Sequence, residues 1–133
     1  MNKKNNKKVL YIDADSDFLD HLERDLDKKN LDDYFFPFND FWNALHFVEK
    51  QIIEKNKKLH YIILDEKIIA RQLDSSLEKI SEYKNYMNNP DIIFCTSNNN
   101  NGLRNKVMQH RVITAFLVKP IPEDYVEFLI TGS

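Results

Sequence analysis

The chain has 133 residues, a formal net charge of −2 and one cysteine, enough for one domain with a core and too few for two. That charge balance offers no electrostatic case for a nucleic-acid or membrane partner, no apolar run approaches membrane-spanning length, and a lone Cys95 excludes an internal disulfide framework or a cysteine zinc cluster. Only Gly102 and Gly132 occur, and neither sits in a loop that could close around phosphates, so P-loop and dinucleotide sites are excluded as well.

Residues 1–7, rich in Lys and Asn, read as a disordered basic tail. With no hydrophobic segment behind those lysines, the chain is expected to be cytoplasmic. Val9-Leu10-Tyr11-Ile12 forms a first strand that ends on Asp13-Ala14-Asp15. Asp15 or Ser16 caps a helix whose apolar stripe is Phe18, Leu19, Leu22 and Leu26. Asp33 to Phe36 is a second strand, which Pro37 is expected to stop. Asn39 or Asp40 caps the next helix, with Phe41, Ala44, Leu45, Val48 and Ile52 on one side and Trp42 read as core.

Tyr61 to Leu64 is a third strand that ends on Asp65. A third helix is expected from about Ser75 to Met87, with Leu77, Ile80 and Tyr83 facing inward and Asn89-Pro90 breaking it. Ile92 to Cys95 makes a fourth strand, ending on Thr96-Ser97. Asn98 to Asn101 is turn-prone and leads into a short polar helix around Leu103 to His110, expected to be the least stable element. Ala115 to Val118 is the fifth strand and ends on Lys119-Pro120. The last helix should begin near Pro122, a residue favoured at a first helical position. His21, His46, His60 and His110 fall on separate elements and read as surface or capping residues, not metal ligands.

Continuous apolar runs alternating with helices indicate strands buried on both faces of a parallel sheet. In such sheets ligands bind beyond the carboxyl ends of the strands. Asp13, Asp65, Thr96 and Lys119 all occupy such ends and should therefore converge on one patch.

Those four residues, in this order and spacing, resemble the receiver domain of two-component response regulators, and the resemblance covers nearly the whole chain. It implies a single domain over residues 1–133 with a flavodoxin-like (βα)5 α/β fold and sheet order 2-1-3-4-5. It implies that Asp65 is the phosphoacceptor, that Lys119 binds a phosphoryl oxygen and tethers Asp65, and that Thr96 bonds another phosphoryl oxygen. Phe116 stands at the family's switch aromatic and Pro120 at its cis proline. A magnesium ion would be held by Asp13, Asp65 and the backbone carbonyl of Lys67, with Asp15 as a further candidate. The implied partners are a sensor histidine kinase or phosphotransfer protein, and a second receiver through the face of the fourth helix, fifth strand and fifth helix. Such a domain is no enzyme beyond catalysing its own phosphorylation and dephosphorylation. Phosphoryl transfer of this kind needs positioning and charge neutralisation more than covalent help.

The chain departs from the pattern in two places. Ala14 replaces the second acid of the family's pair, and a methyl group cannot coordinate a hard cation. Glu66-Lys67-Ile68-Ile69 follows the phosphoacceptor position where the family often has Met-Pro and then a glycine. Three functions therefore stay open: a phosphoaccepting receiver, a degenerate receiver that acts as a phosphate-independent interaction module, and a haloacid dehalogenase-like phosphatase using Asp13 and Asp15. The last would leave Asp65 without a role.

Overall fold

In a computed structural model, residues 5–97 and 101–132 are described. The strands β1 (Val9–Ile12), β2 (Phe35–Phe38), β3 (Tyr61–Asp65), β4 (Asp91–Thr96) and β5 (Ile113–Val118) form one parallel sheet in the order β2-β1-β3-β4-β5. The helices are α1 (Ser16–Lys28), α2 (Phe41–Phe47), α3 (Glu66–Ile69), α4 (Leu73–Lys84), α5 (Asn101–Met108) and α6 (Tyr125–Thr131). The flavodoxin-like arrangement expected from the sequence is therefore the observed one.

Side chains alternate across each strand and divide the core in two. Leu10, Ile12, Ile62, Leu64, Ile92 and Phe94 pack under Ala44, Leu45, Val48, Ile52, Leu77, Ile80 and Val107 from α2, α4 and α5 and the turn that extends α2. On the opposite face Val9, Tyr11, Ile63, Ile93 and Cys95 pack under Leu19, Leu22 and Leu26 of α1 and Val126, Leu129 and Ile130 of α6. Both faces of the central strands are covered, which is why those strands read as unbroken apolar runs.

Four local expectations are corrected. Pro37 does not stop β2, which runs from Phe35 through Phe38. The Phe38 carbonyl accepts from the Asp13 N–H, so Phe38 faces β1 and Pro37 turns its nitrogen away from the sheet, where the ladder needs no donor. Trp42 is 61% exposed; it lies beside the buried stripe of α2 and touches Phe41 edge-on. The third helix starts earlier than Ser75, because α3 follows β3 directly and passes through a 3-10 turn at Ala70–Gln72 into α4. It leaves the regular helix at Lys84, and Asn88 and Asn89 then take positive φ ahead of Pro90, a backbone region asparagine tolerates well. Pro122 lies outside α6, whose first residue is Tyr125; the Tyr125 N–H closes a turn onto the Pro122 carbonyl.

At the ends of the chain, the Lys7 N–H donates to the Ile130 carbonyl at 2.8 Å, so the ordered backbone includes the last residue assigned to the tail. Residues 1–4 of that tail, and 98–100 of the loop before α5, lie outside the described residues. His60 accepts the Lys8 N–H through Nδ1 at 3.0 Å, a backbone cap of the kind expected for the histidines. Among the described residues no helix is long and apolar enough to cross a membrane.

Tyr11 sits in the middle of β1 with its ring fully buried, and its hydroxyl has no hydrogen-bond partner among the described residues. Burial raises its phenol above the ordinary value of 10.0. An orphaned buried hydroxyl costs on the order of 1–3 kcal/mol, whereas an apolar group of the same shape costs nearly nothing. Tyr11→Phe is therefore expected to raise stability by about 1 kcal/mol at neutral pH. The gain should widen above pH 10, where the unfolded tyrosine ionises and the native one does not. Urea melts at pH 7 and pH 10.5 measure both; a destabilised Tyr11→Phe would mean that the hydroxyl is bonded after all.

Candidate functional site

Parallel pairing brings the carboxyl ends of β1, β3, β4 and β5 to one edge of the molecule, and the polar residues placed at those ends meet there. Asp13 and Asp65 are 1% and 2% exposed. The Lys119 ammonium lies between them, 2.9 Å from Asp13 Oδ2 and 2.7 Å from Asp65 Oδ1. Burial works against the charge on Lys119, but the bonds and fields of Asp65 and Asp13 outweigh it and hold the ammonium above its ordinary value of 10.5. Two buried carboxylates sharing one ammonium leave one excess negative charge, which a second cation or a proton donor would offset. A cleft of about 410 Å³, walled in part by Asp13, Asp15, Ser97, Lys119 and Pro120, reaches Asp13 and Lys119 from solvent.

The remaining oxygens are held by backbone. Asp65 caps α3, its Oδ2 accepting the Lys67 N–H at 3.2 Å. Asp13 Oδ1 accepts the Asp15 N–H at 2.9 Å. The Lys119 N–H bonds the Thr96 carbonyl at 2.8 Å, which fixes the root of the lysine against β4, and the Lys119-Pro120 bond is cis. Phe116 is half-buried, stacked on Phe94 with ring centres 5.7 Å apart and with the Arg104 guanidinium over its ring. Cys95, one residue before Thr96, is fully buried, and burial pushes its thiol up to about 12, so it is inert in the folded chain.

The donor set was weighed against a magnesium ion. Asp15 borders the cleft beside Asp13, but its side chain caps α1, accepting the Phe18 N–H at 3.1 Å. Ala14 is exposed and its side chain brings no oxygen, and Lys67 has only its backbone carbonyl to offer a cation. Among the described residues no group of three or more His, Cys, Asp or Glu could hold a metal. With no side-chain oxygen at position 14 and both buried carboxylates bonded to Lys119, the side chains present are a poor fit to a hard dication. Ala14→Asp should supply the absent oxygen and tighten magnesium binding by about tenfold or more. Titration calorimetry of the two forms measures this; equal affinities would mean that another acid already fills the position.

Sequence reasoning missed Glu66. Leu64 pairs with Phe94 and Asp65 with Cys95, so the next residues along, Glu66 and Thr96, stand across from each other where β3 and β4 end. The Thr96 hydroxyl donates to Glu66 Oε1. That juxtaposition depends on the register of the folded sheet, which leaves no local mark around Glu66 in the sequence.

No family model and no curated protein matches the chain, whereas solved structures do. A response regulator from Burkholderia pseudomallei, carrying a phosphorylated aspartic acid with a calcium ion and citrate, is similar with a TM-score of 0.66 at 18% identity. The match covers 94% of this chain and 66% of that one, so this chain spans slightly less than two thirds of its length. A CheY-like response regulator receiver domain from Methanospirillum hungatei gives 0.63 at 19% identity, over 91% of this chain and 88% of its own. The signal receiver domain of an HD domain-containing protein from Pseudomonas fluorescens gives 0.66 at 17%, over 93% and 90%. The chain has the receiver-domain fold. Within a receiver fold the cluster of Asp13, Asp65, Thr96 and Lys119 lies at the carboxyl edge of the sheet, where open α/β sheets place their ligand sites. Asp15, needed as the second acid of a phosphatase reading, is instead engaged as a helix cap.

Proposed function

We propose that this chain serves as a receiver domain in phosphorelay signalling and accepts a phosphoryl group on Asp65. The observation that carries the reading is the Lys119 ammonium lodged between the Asp13 and Asp65 carboxylates below a solvent cleft. In the proposed step a carboxylate oxygen of Asp65 forms a bond to phosphorus while the P–N bond of a donor phosphohistidine breaks. The imidazole leaves with the electron pair and takes a proton from solvent. Lys119 offsets charge on the transferring oxygens, which is the larger part of what a protein contributes to this chemistry. The donor is a sensor histidine kinase or a phosphotransfer protein. The output face is α5, β5 and α6, which carries the exposed apolar residues Met108, Val118 and Phe128, and it pairs with a second receiver or with the kinase.

A second reading, a receiver that works without phosphate, is favoured by Ala14 and by the poor fit to a metal. Incubation with acetyl phosphate and magnesium separates the two. The first reading expects the mass of one phosphoryl group on the peptide containing Asp65. A chain that stays unmodified where an ordinary receiver is labelled would establish the second.

A further inference from the structure

Glu66 is an acid at the cluster that the phosphoacceptor reading does not use. Its backbone opens α3 immediately after Asp65, and its half-buried carboxylate accepts the hydroxyl proton of Thr96. Thr96 is fully buried at the end of β4. A threonine hydroxyl has a single proton to donate. While Glu66 holds it, that proton is not available to an oxygen of a group on Asp65. A phosphoryl group there would also add close to two negative charges one residue away from the Glu66 carboxylate. Both effects have the same sign.

We propose that Glu66 is a built-in competitor for the phosphoryl site. Its carboxylate occupies the Thr96 hydroxyl in the unmodified chain and must swing out to solvent before an anionic group on Asp65 can be held. The side chain has room for that move, because it is only half-buried in the first turn of α3 and water can satisfy it once it swings out. Glu66 is thus a positioning residue that slows uptake of the phosphoryl group. The inference rests on the phosphoacceptor reading, in that it names what opposes the group on Asp65.

Acetyl phosphate labelling of the wild type, E66A, E66Q, T96V and the double variant E66A/T96V tests it. Glu66→Ala should label about tenfold faster than wild type. Glu66→Gln, which keeps an oxygen acceptor but no charge, should lie between them. In the Thr96→Val background there is no hydroxyl to release, so removing Glu66 should gain only about threefold or less, the part due to charge alone. A purely structural or long-range electrostatic role predicts the same gain in both backgrounds, and that result would overturn the proposal. So would wild type and Glu66→Ala labelling at the same rate. If neither is labelled, the phosphoacceptor reading fails and takes this inference with it, an outcome distinct from equal labelling of both.

Discussion

Asp65→Asn is expected to take up no phosphoryl group under conditions that label the wild type, while Asp13→Asn takes it up more slowly. An amide oxygen is too weak a nucleophile to displace a leaving group from phosphorus, so the first loss should be complete. In the proposed reading Asp13 helps to position Lys119, and without its charge the ammonium would be held by Asp65 alone, its field drawn away from an incoming group. Neither substitution should unfold the domain, since each leaves Lys119 one carboxylate partner and adds no volume. Mass spectrometry with a circular dichroism control reads both quantities. Label persisting in Asp65→Asn would move the acceptor to another residue and undo the assignment.

The largest effect on stability should come from Lys119→Met. It leaves Asp13 and Asp65, both nearly sealed from water, facing each other with no cation. Removing one partner from a buried ionic group costs about 3–5 kcal/mol, and the lower figure suits a lysine whose side chain is 27% exposed. For a domain of this size that is a fall in Tm of roughly 10 °C. Adding Asp13→Asn to the variant should restore most of the loss, because it removes one of the two facing charges. The wild type should weaken at the alkaline end. Lys119 is held above its ordinary 10.5, so its stabilisation is complete below that value and is lost as pH rises through the native one. Lys119→Met should show no such alkaline component. A melting temperature within 2 °C of wild type, where about 10 °C is expected, would mean that the two carboxylates carry no net charge conflict.

How much of this was legible in the sequence depended on how local the signal was. The four strand ends were readable because a strand covered on both faces must be apolar throughout, so the first polar residue after each run marks the edge of the sheet. Asp13, Asp65, Thr96 and Lys119 follow from that alone. Asp15 was readable as a cap for the same local reason. Glu66 was not, because its partner is set by the register between β3 and β4 and not by its own neighbours. Trp42 was misread because helical periodicity tells which side a residue shares with Phe41 and Ala44 only to within a turn, and a residue one step from the stripe lies about 100° away from it. Pro37 was misread because a proline is a defect only where the ladder asks for its N–H, and an edge strand asks for every second one.

The two margins of the sheet are consequently unequal partners for another molecule. An unpaired strand edge is a template on which further chains can add. Along β2 the outward-facing position at the middle of the strand belongs to Pro37, which has no proton to offer an incoming backbone, so a new strand cannot zip along that margin. The β5 margin keeps its donors. Two copies that joined through β5 would present only β2 margins to the outside, and growth would end there. The proline thus acts as a terminator on that side: it denies the molecule the endless ribbon that a sheet with two open margins can form.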